Sequence, residues 1–122
     1  MAWSVQQDSE LGLIEIVYTG QVTDHDVAAS TVEALGLAAT DKPNLFFGDL
    51  TDADLDLSPG EIYFLPDRWE AGQANRKNKL ALYVPDPADM RIVQFHVNTA
   101  RNRGWQVAAF TDRQDAIDWL TG

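Results

Sequence analysis

Cysteine is absent from the 122 residues, which excludes disulfides, thiolate metal ligands and cysteine nucleophiles together. No stretch approaches the roughly 20 consecutive apolar residues that a membrane-spanning helix needs. The opening residues, Met1-Ala2-Trp3-Ser4-Val5-Gln6-Gln7-Asp8, lack the basic and apolar regions of a secretory signal, so a cytoplasmic protein is expected. Basic residues are scarce: 9 Lys and Arg against 19 Asp and Glu leave a net charge of −10. Such a surface repels phosphate backbones and anionic lipid, which argues against nucleic acid as a partner. The one basic cluster, Arg76-Lys77-Asn78-Lys79, is short enough to read as a solvated turn. No linker, internal repeat or low-complexity segment interrupts the chain, so one domain over residues 1–122 is expected.

What the sequence does contain is a helix-start signal in four copies. They are Thr23-Asp24-His25-Asp26, Ser58-Pro59-Gly60-Glu61, Asp86-Pro87-Ala88-Asp89 and Thr111-Asp112-Arg113-Gln114. The first oxygen of each can accept from a free N–H of the opening turn, and the acid or amide three positions on complements the helix N-terminus. Pro59 and Pro87 occupy the first helical position, where a missing N–H costs nothing.

Between these signals lie short β-rich runs. Trp3–Gln7 and Leu11–Tyr18 read as strands joined by a turn near Asp8-Ser9-Glu10, with Gly20 breaking the second. A helix follows from about Asp24 to Ala38, ended by Thr40-Asp41-Lys42-Pro43. On its wheel Val27, Ala28, Thr31, Val32, Ala34 and Leu35 form one arc, with Asp26, Ser30 and Glu33 opposite. Asn44–Leu50 and Leu80–Val84 lack alternation, as strands inside a parallel sheet do. An acidic loop, Thr51 to Leu57, joins the first of these to Ser58. A helix from about Pro87 to Arg103 stops at Gly104. Trp105–Phe110 is the last strand and Asp112–Leu120 the last helix. The order ββαβαβαβα predicts an α/β fold: a mostly parallel central sheet with packed helices and one antiparallel edge strand.

Chemistry-bearing residues are few. Asp52-Ala53-Asp54-Leu55-Asp56 has the alternating carboxylates of a calcium loop, but Leu57 stands where that loop needs Gly and Tyr63 where it needs Glu, so no metal is expected. Asp49 ends a strand at the sheet's carboxyl edge, where ligands of open α/β folds bind. His25 lies in a first helical turn and no nucleophile motif accompanies either histidine. His96 projects near the centre of an apolar arc formed by Ala88, Met90, Ile92, Val93, Phe95, Val97 and Ala100. It is expected to be buried and neutral, with a hydrogen-bonded ring nitrogen. On the helix after Ser58, Ile62, Leu65 and Trp69 share one face while Tyr63 and Phe64 point the other way. Pro66 should kink or end that helix near Leu65. Either the two aromatics form a contact surface, or the kink tucks one beneath a loop.

The order of elements resembles the STAS superfamily, the SpoIIAA-like anti-sigma-factor antagonist domains. The likeness rests on Tyr18-Thr19-Gly20-Gln21-Val22-Thr23, Asp49-Leu50-Thr51, Ser58-Pro59-Gly60 and the closing run from Phe110 to Trp119-Leu120. It implies a non-enzymatic, cofactor-free regulatory module that binds a protein partner, a kinase or an anti-sigma-like protein. By position Ser58 corresponds to the serine that the partner kinase phosphorylates in antagonist proteins, although Leu57 replaces the usual Asp and Pro59 the usual small residue. The expected contact surface is Ser58, Tyr63 and Phe64, with Trp69 and Asp49 nearby, for a protein partner or a second copy in a homodimer. The alternative is a carrier of a small apolar or lipid-like ligand, with Tyr63, Phe64 and Trp69 lining a pocket beside the sheet's carboxyl edge.

Overall fold

The computed structural model describes residues 2–39 and 41–122. The elements are β1 (Trp3–Asp8), β2 (Leu13–Val22), α1 (Asp24–Leu37), β3 (Leu45–Leu55), α2 (Pro59–Ala71), β4 (Lys79–Tyr83), α3 (Pro87–Asn102), β5 (Gln106–Phe110) and α4 (Arg113–Thr121). The five strands form one sheet in the order β1-β2-β3-β4-β5. β1 runs antiparallel to β2, and every other neighbouring pair is parallel. Both the ββαβαβαβα order and the single antiparallel edge strand are as the sequence predicts. Among the described residues, no helix is long and apolar enough to cross a membrane.

Alternation along the strands divides the sheet into two faces. Ile14, Ile16, Phe46, Leu50, Leu82 and Val107 belong to a core that α1, α2 and α3 cover. Leu13, Phe47 and Ala81 point the other way, onto Ala116 and Leu120 of α4.

All four helices are capped by side chains. Thr23 and Ser58 each form a full capping box, with Asp26 and Glu61 respectively. The Thr23 N–H donates to the Asp26 carboxylate and holds its pKa below the usual range. Asp86 accepts from Ala88 N at 2.9 Å. The last cap is Asp112, accepting from Asp115 N at 3.0 Å, and not Thr111. Both residues can cap, and the chain uses the one whose carboxylate reaches the third amide.

Other expectations need correction. Gly20 does not break β2: it adopts φ +68° within the strand, which pairs on through a register shift between Val17 and Thr19. The acidic segment is not a loop as far as Leu55. It extends β3, with Thr19, Gly20, Gln21 and Val22 opposite Asp52, Ala53, Asp54 and Leu55. Ala53 and Leu55 pack against the core while Asp52 and Asp54 face solvent, a period of two hidden under the charge pattern. Pro66 does not end α2, which continues to Ala71. A proline inside a helix costs about 3 kcal/mol. Burying Ile62 and Leu65 contributes roughly 1.5–3 kcal/mol each, and both are buried.

The wheel of α1 is also turned from its expected orientation. Ser30 is fully buried and Val32 is 74% exposed. The Tyr18 hydroxyl on β2 bonds Ser30 Oγ at 2.7 Å, which brings the Ser30 side of α1 down onto the sheet. α1 ends at Leu37 with Ala38 as its cap. Of the expected stop, Thr40 lies outside the described residues.

Candidate functional site

The start of α2 lies beyond the carboxyl end of β3. Ser58 is exposed; its Oγ accepts from Glu61 N at 3.2 Å, and its own N–H donates to Glu61 Oε1 at 2.9 Å. Pro59 supplies the first helical residue without an N–H that needs a partner. One turn on, Tyr63 and Phe64 are 46% and 58% exposed. Their rings meet edge to face, with centroids 5.1 Å apart. The Arg103 guanidinium lies 4.8 Å from the Tyr63 ring centroid and also pairs with Asp67. Tyr63 is therefore anchored on one side, while Phe64 is the freer apolar projection. Phe95 on α3 is 40% exposed, so the apolar arc drawn for that helix is wider than the face it buries.

Trp69 occupies the opposite side of α2 and faces inward. It packs edge to face on His96, at 5.5 Å between centroids, and on Trp105, at 5.3 Å. The end of α3 sets Trp105 in place. Gly104 takes φ +88°, its N–H reaches Arg101 O at 3.0 Å, and Trp105 N reaches Ala100 O at 3.1 Å. These paired bonds close a Schellman motif, whose residue after the glycine packs back on the helix. The Arg76 guanidinium covers the Trp105 ring at 4.2 Å.

Asp49 belongs to a different place. Val17 and Asp49 pair in register on the sheet face that α4 covers. The Asp49 carboxylate accepts from Thr51 N at 2.9 Å and Thr51 Oγ1 at 2.6 Å, and pairs with Arg113 at 3.3 Å. Arg113 also pairs with Glu15 at 2.9 Å, over the Phe47 ring. Asp49 thus does not join Ser58, Tyr63 and Phe64. Asp52, Asp54 and Asp56 lie along an extended segment and not in a loop wrapped round an ion. Partial burial, with the nearby charges of Asp86 and Asp54, raises the Asp89 pKa, so this edge of the molecule is acidic.

Beneath α1, α2 and α3 lies a cavity of about 140 Å³, lined by Ile16, Leu50, Leu82, Trp69, His96 and Trp105 among others. Tyr63 and Phe64 do not line it, contrary to the expectation for a pocket. His96 is not hydrogen-bonded through Nδ1 as expected: among the described residues that nitrogen is buried without a partner, and so is Trp105 Nε1. Burial pushes the His96 pKa down to about 4, so the ring is neutral at ordinary pH. Nothing in the local pattern singles out Trp105 except its place after Gly104, where the residue following a helix-ending glycine folds back.

No protein-family profile matches the chain, and no curated protein matches it. Solved structures do. An anti-sigma-factor antagonist (STAS) domain protein from Planctomyces limnophilus superposes with a TM-score of 0.65 at 18% identity, covering 98% of each chain. An uncharacterised protein with a SpoIIAA-like fold from Shewanella loihica gives 0.63 at 17%, over 98% of this chain and 92% of the other. The Bacillus cell fate determinant SpoIIAA in its phosphorylated form gives 0.53 at 16%, over 98% and 99%. The fold is therefore the STAS/SpoIIAA-like fold.

Proposed function

We propose that this chain is a non-enzymatic regulatory module that binds a protein partner through the start and outward face of α2. The observation that carries this is the exposed Ser58 cap one turn from the exposed Tyr63–Phe64 pair, on a fold shared with an anti-sigma-factor antagonist domain. Adjacent exposed aromatics on a rigid helix are the kind of anchor that protein interfaces use. Phosphorylation of Ser58 is the proposed control, since SpoIIAA has a phosphorylated form. A phosphate here is favoured by the helix N-terminus. It also displaces the Glu61 carboxylate that now accepts from Ser58 N, so modification exchanges one set of first-turn bonds for another.

The test is affinity capture from the native host with wild type and Ser58→Asp. A polypeptide retained by one form and lost from the other supports the proposal; identical capture profiles contradict it. A second copy on the same face is distinguished by a dimer that Phe64→Asp dissociates.

A second function, carriage of a small apolar ligand, is favoured by the cavity beneath the three helices.

A further inference from the structure

α2 serves two sides of the molecule at once. Leu57, just before its cap, and Ile62, Leu65 and Trp69 line the cavity of about 140 Å³. Their neighbours in sequence, Ser58, Tyr63 and Phe64, are exposed. A single helix therefore stands between the cavity and the proposed docking face. Its backbone lies chiefly against α1 and α3, and Ile16, Leu82 and Val107 of the sheet form the cavity's opposite wall.

The three helices over the cavity are held in different ways. α1 is pinned to the sheet by the buried Tyr18–Ser30 bond, and α3 runs 16 residues with no proline past its first position. In α2, Pro66 has no N–H to give Ile62 O, so one helical bond is missing between the outer aromatic pair and Trp69. The side-chain ties of α2 to its neighbours are partly exposed ion pairs: Arg68 with Asp24 of α1 at 2.6 Å, and Asp67 with Arg103 after α3. Such pairs contribute little. The cavity also removes part of the apolar packing that would otherwise hold the helix. These are the marks of a locally weak element.

Resting on the docking and carrier functions together, we infer that the cavity regulates the docking face. A small uncharged apolar molecule seated under α2 orders the helix and strengthens partner binding at Ser58, Tyr63 and Phe64. The volume is close to the roughly 150 Å³ of an apolar protein cavity that accepts benzene, so a single ring fits and a long lipid chain does not. A mostly aliphatic and aromatic wall penalises an ion. Contacts from the ligand to Ile62, Leu65 and Trp69 reduce the freedom of α2. A partner that binds the ordered helix then loses less conformational entropy, which couples two sites that share no contact.

Toluene is the probe. The methyl resonances of Ile62 and Leu65 are followed during its titration, and amide hydrogen exchange across α2 is measured with and without saturating toluene. Photo-crosslinking from benzoylphenylalanine at position 64 is then run in clarified extract of the native host under the same two conditions. Saturable methyl shifts and slower exchange in α2 are expected. The protein concentration giving half-maximal adduct is expected to fall about fivefold with toluene, the lower end of ordinary coupling between sites. Val107→Phe adds volume from the sheet wall and is expected to abolish both toluene binding and the effect of toluene on the adduct. An adduct whose half-maximal concentration toluene leaves unchanged or raises overturns the coupling, while docking on α2 stands. The absence of saturable methyl shifts overturns the coupling and the carrier function, and docking again stands. The absence of any adduct overturns docking and the coupling with it. The wild-type results decide the matter even if Val107→Phe fails to fold.

Discussion

Tyr18 of β2 and Ser30 of α1 share a buried 2.7 Å hydrogen bond between the sheet and its covering helix. Ser30 Oγ also lies 3.0 Å from Val27 O and donates to it, so the Tyr18 hydroxyl donates to Ser30. Burial raises the Tyr18 pKa, with the Ser30 bond opposing. Ser30→Ala strands a buried hydroxyl and is expected to cost about 1–3 kcal/mol in chemical denaturation. The double variant Tyr18→Phe/Ser30→Ala removes both polar groups and should cost clearly less than the two single changes added together.

The Ser58 cap separates stability from signalling. Ser58→Ala removes the acceptor for Glu61 N and is expected to lower stability by about 1 kcal/mol, whereas Ser58→Asp keeps a capping oxygen and should lie within a few tenths of wild type. Urea unfolding midpoints check both. A change in partner capture by Ser58→Asp then reports charge and not a frayed helix.

His96 gives the protein a specific pH response. Its pKa is about 4 in the folded chain, below its ordinary value of 6.5. Between those values the unfolded chain binds a proton that the folded chain refuses. Stability from this group is therefore complete above the ordinary value and is lost as pH falls through the window. From about pH 7.5 to about pH 5 the loss is about 2 kcal/mol. His96→Leu should flatten that slope, leaving only the carboxylate titrations below it, as read from unfolding free energies measured at each pH.

Gly104 is needed for its backbone. Its φ of +88° disfavours any side chain, so Gly104→Ala is expected to cost roughly 1–2 kcal/mol. The same change should perturb Trp105 fluorescence by loosening the turn that seats it on Ala100.

The helices were legible because caps and first-turn prolines act locally: Ser58-Pro59 and Asp86-Pro87 mark their starts whatever surrounds them. The 100° advance per residue sets Tyr63 and Phe64 opposite Ile62 and Leu65, but that both stay outward depends on α2 running on through Pro66, which the sequence leaves open. Contacts distant in sequence were less visible. In the Asp-Ala-Asp-Leu-Asp run the charge pattern masks an alternation that is that of a strand. The wheel of α1 points Ser30 outward, because nothing in its own helix reveals that Tyr18 needs a hydroxyl partner. The cavity, with Trp105 and His96 among its lining residues, arises where three helices and a sheet fail to fill the space between them. No local pattern encodes that.

The most direct measurement is photo-crosslinking in the native host, with benzoylphenylalanine placed at position 64 on α2 or at position 32 on α1, where Val32 is equally free to reach a neighbour. A discrete adduct from position 64 and none from position 32 is the predicted result. An adduct from position 32 alone, or none from either site in cells that accumulate the folded protein, contradicts partner docking on α2.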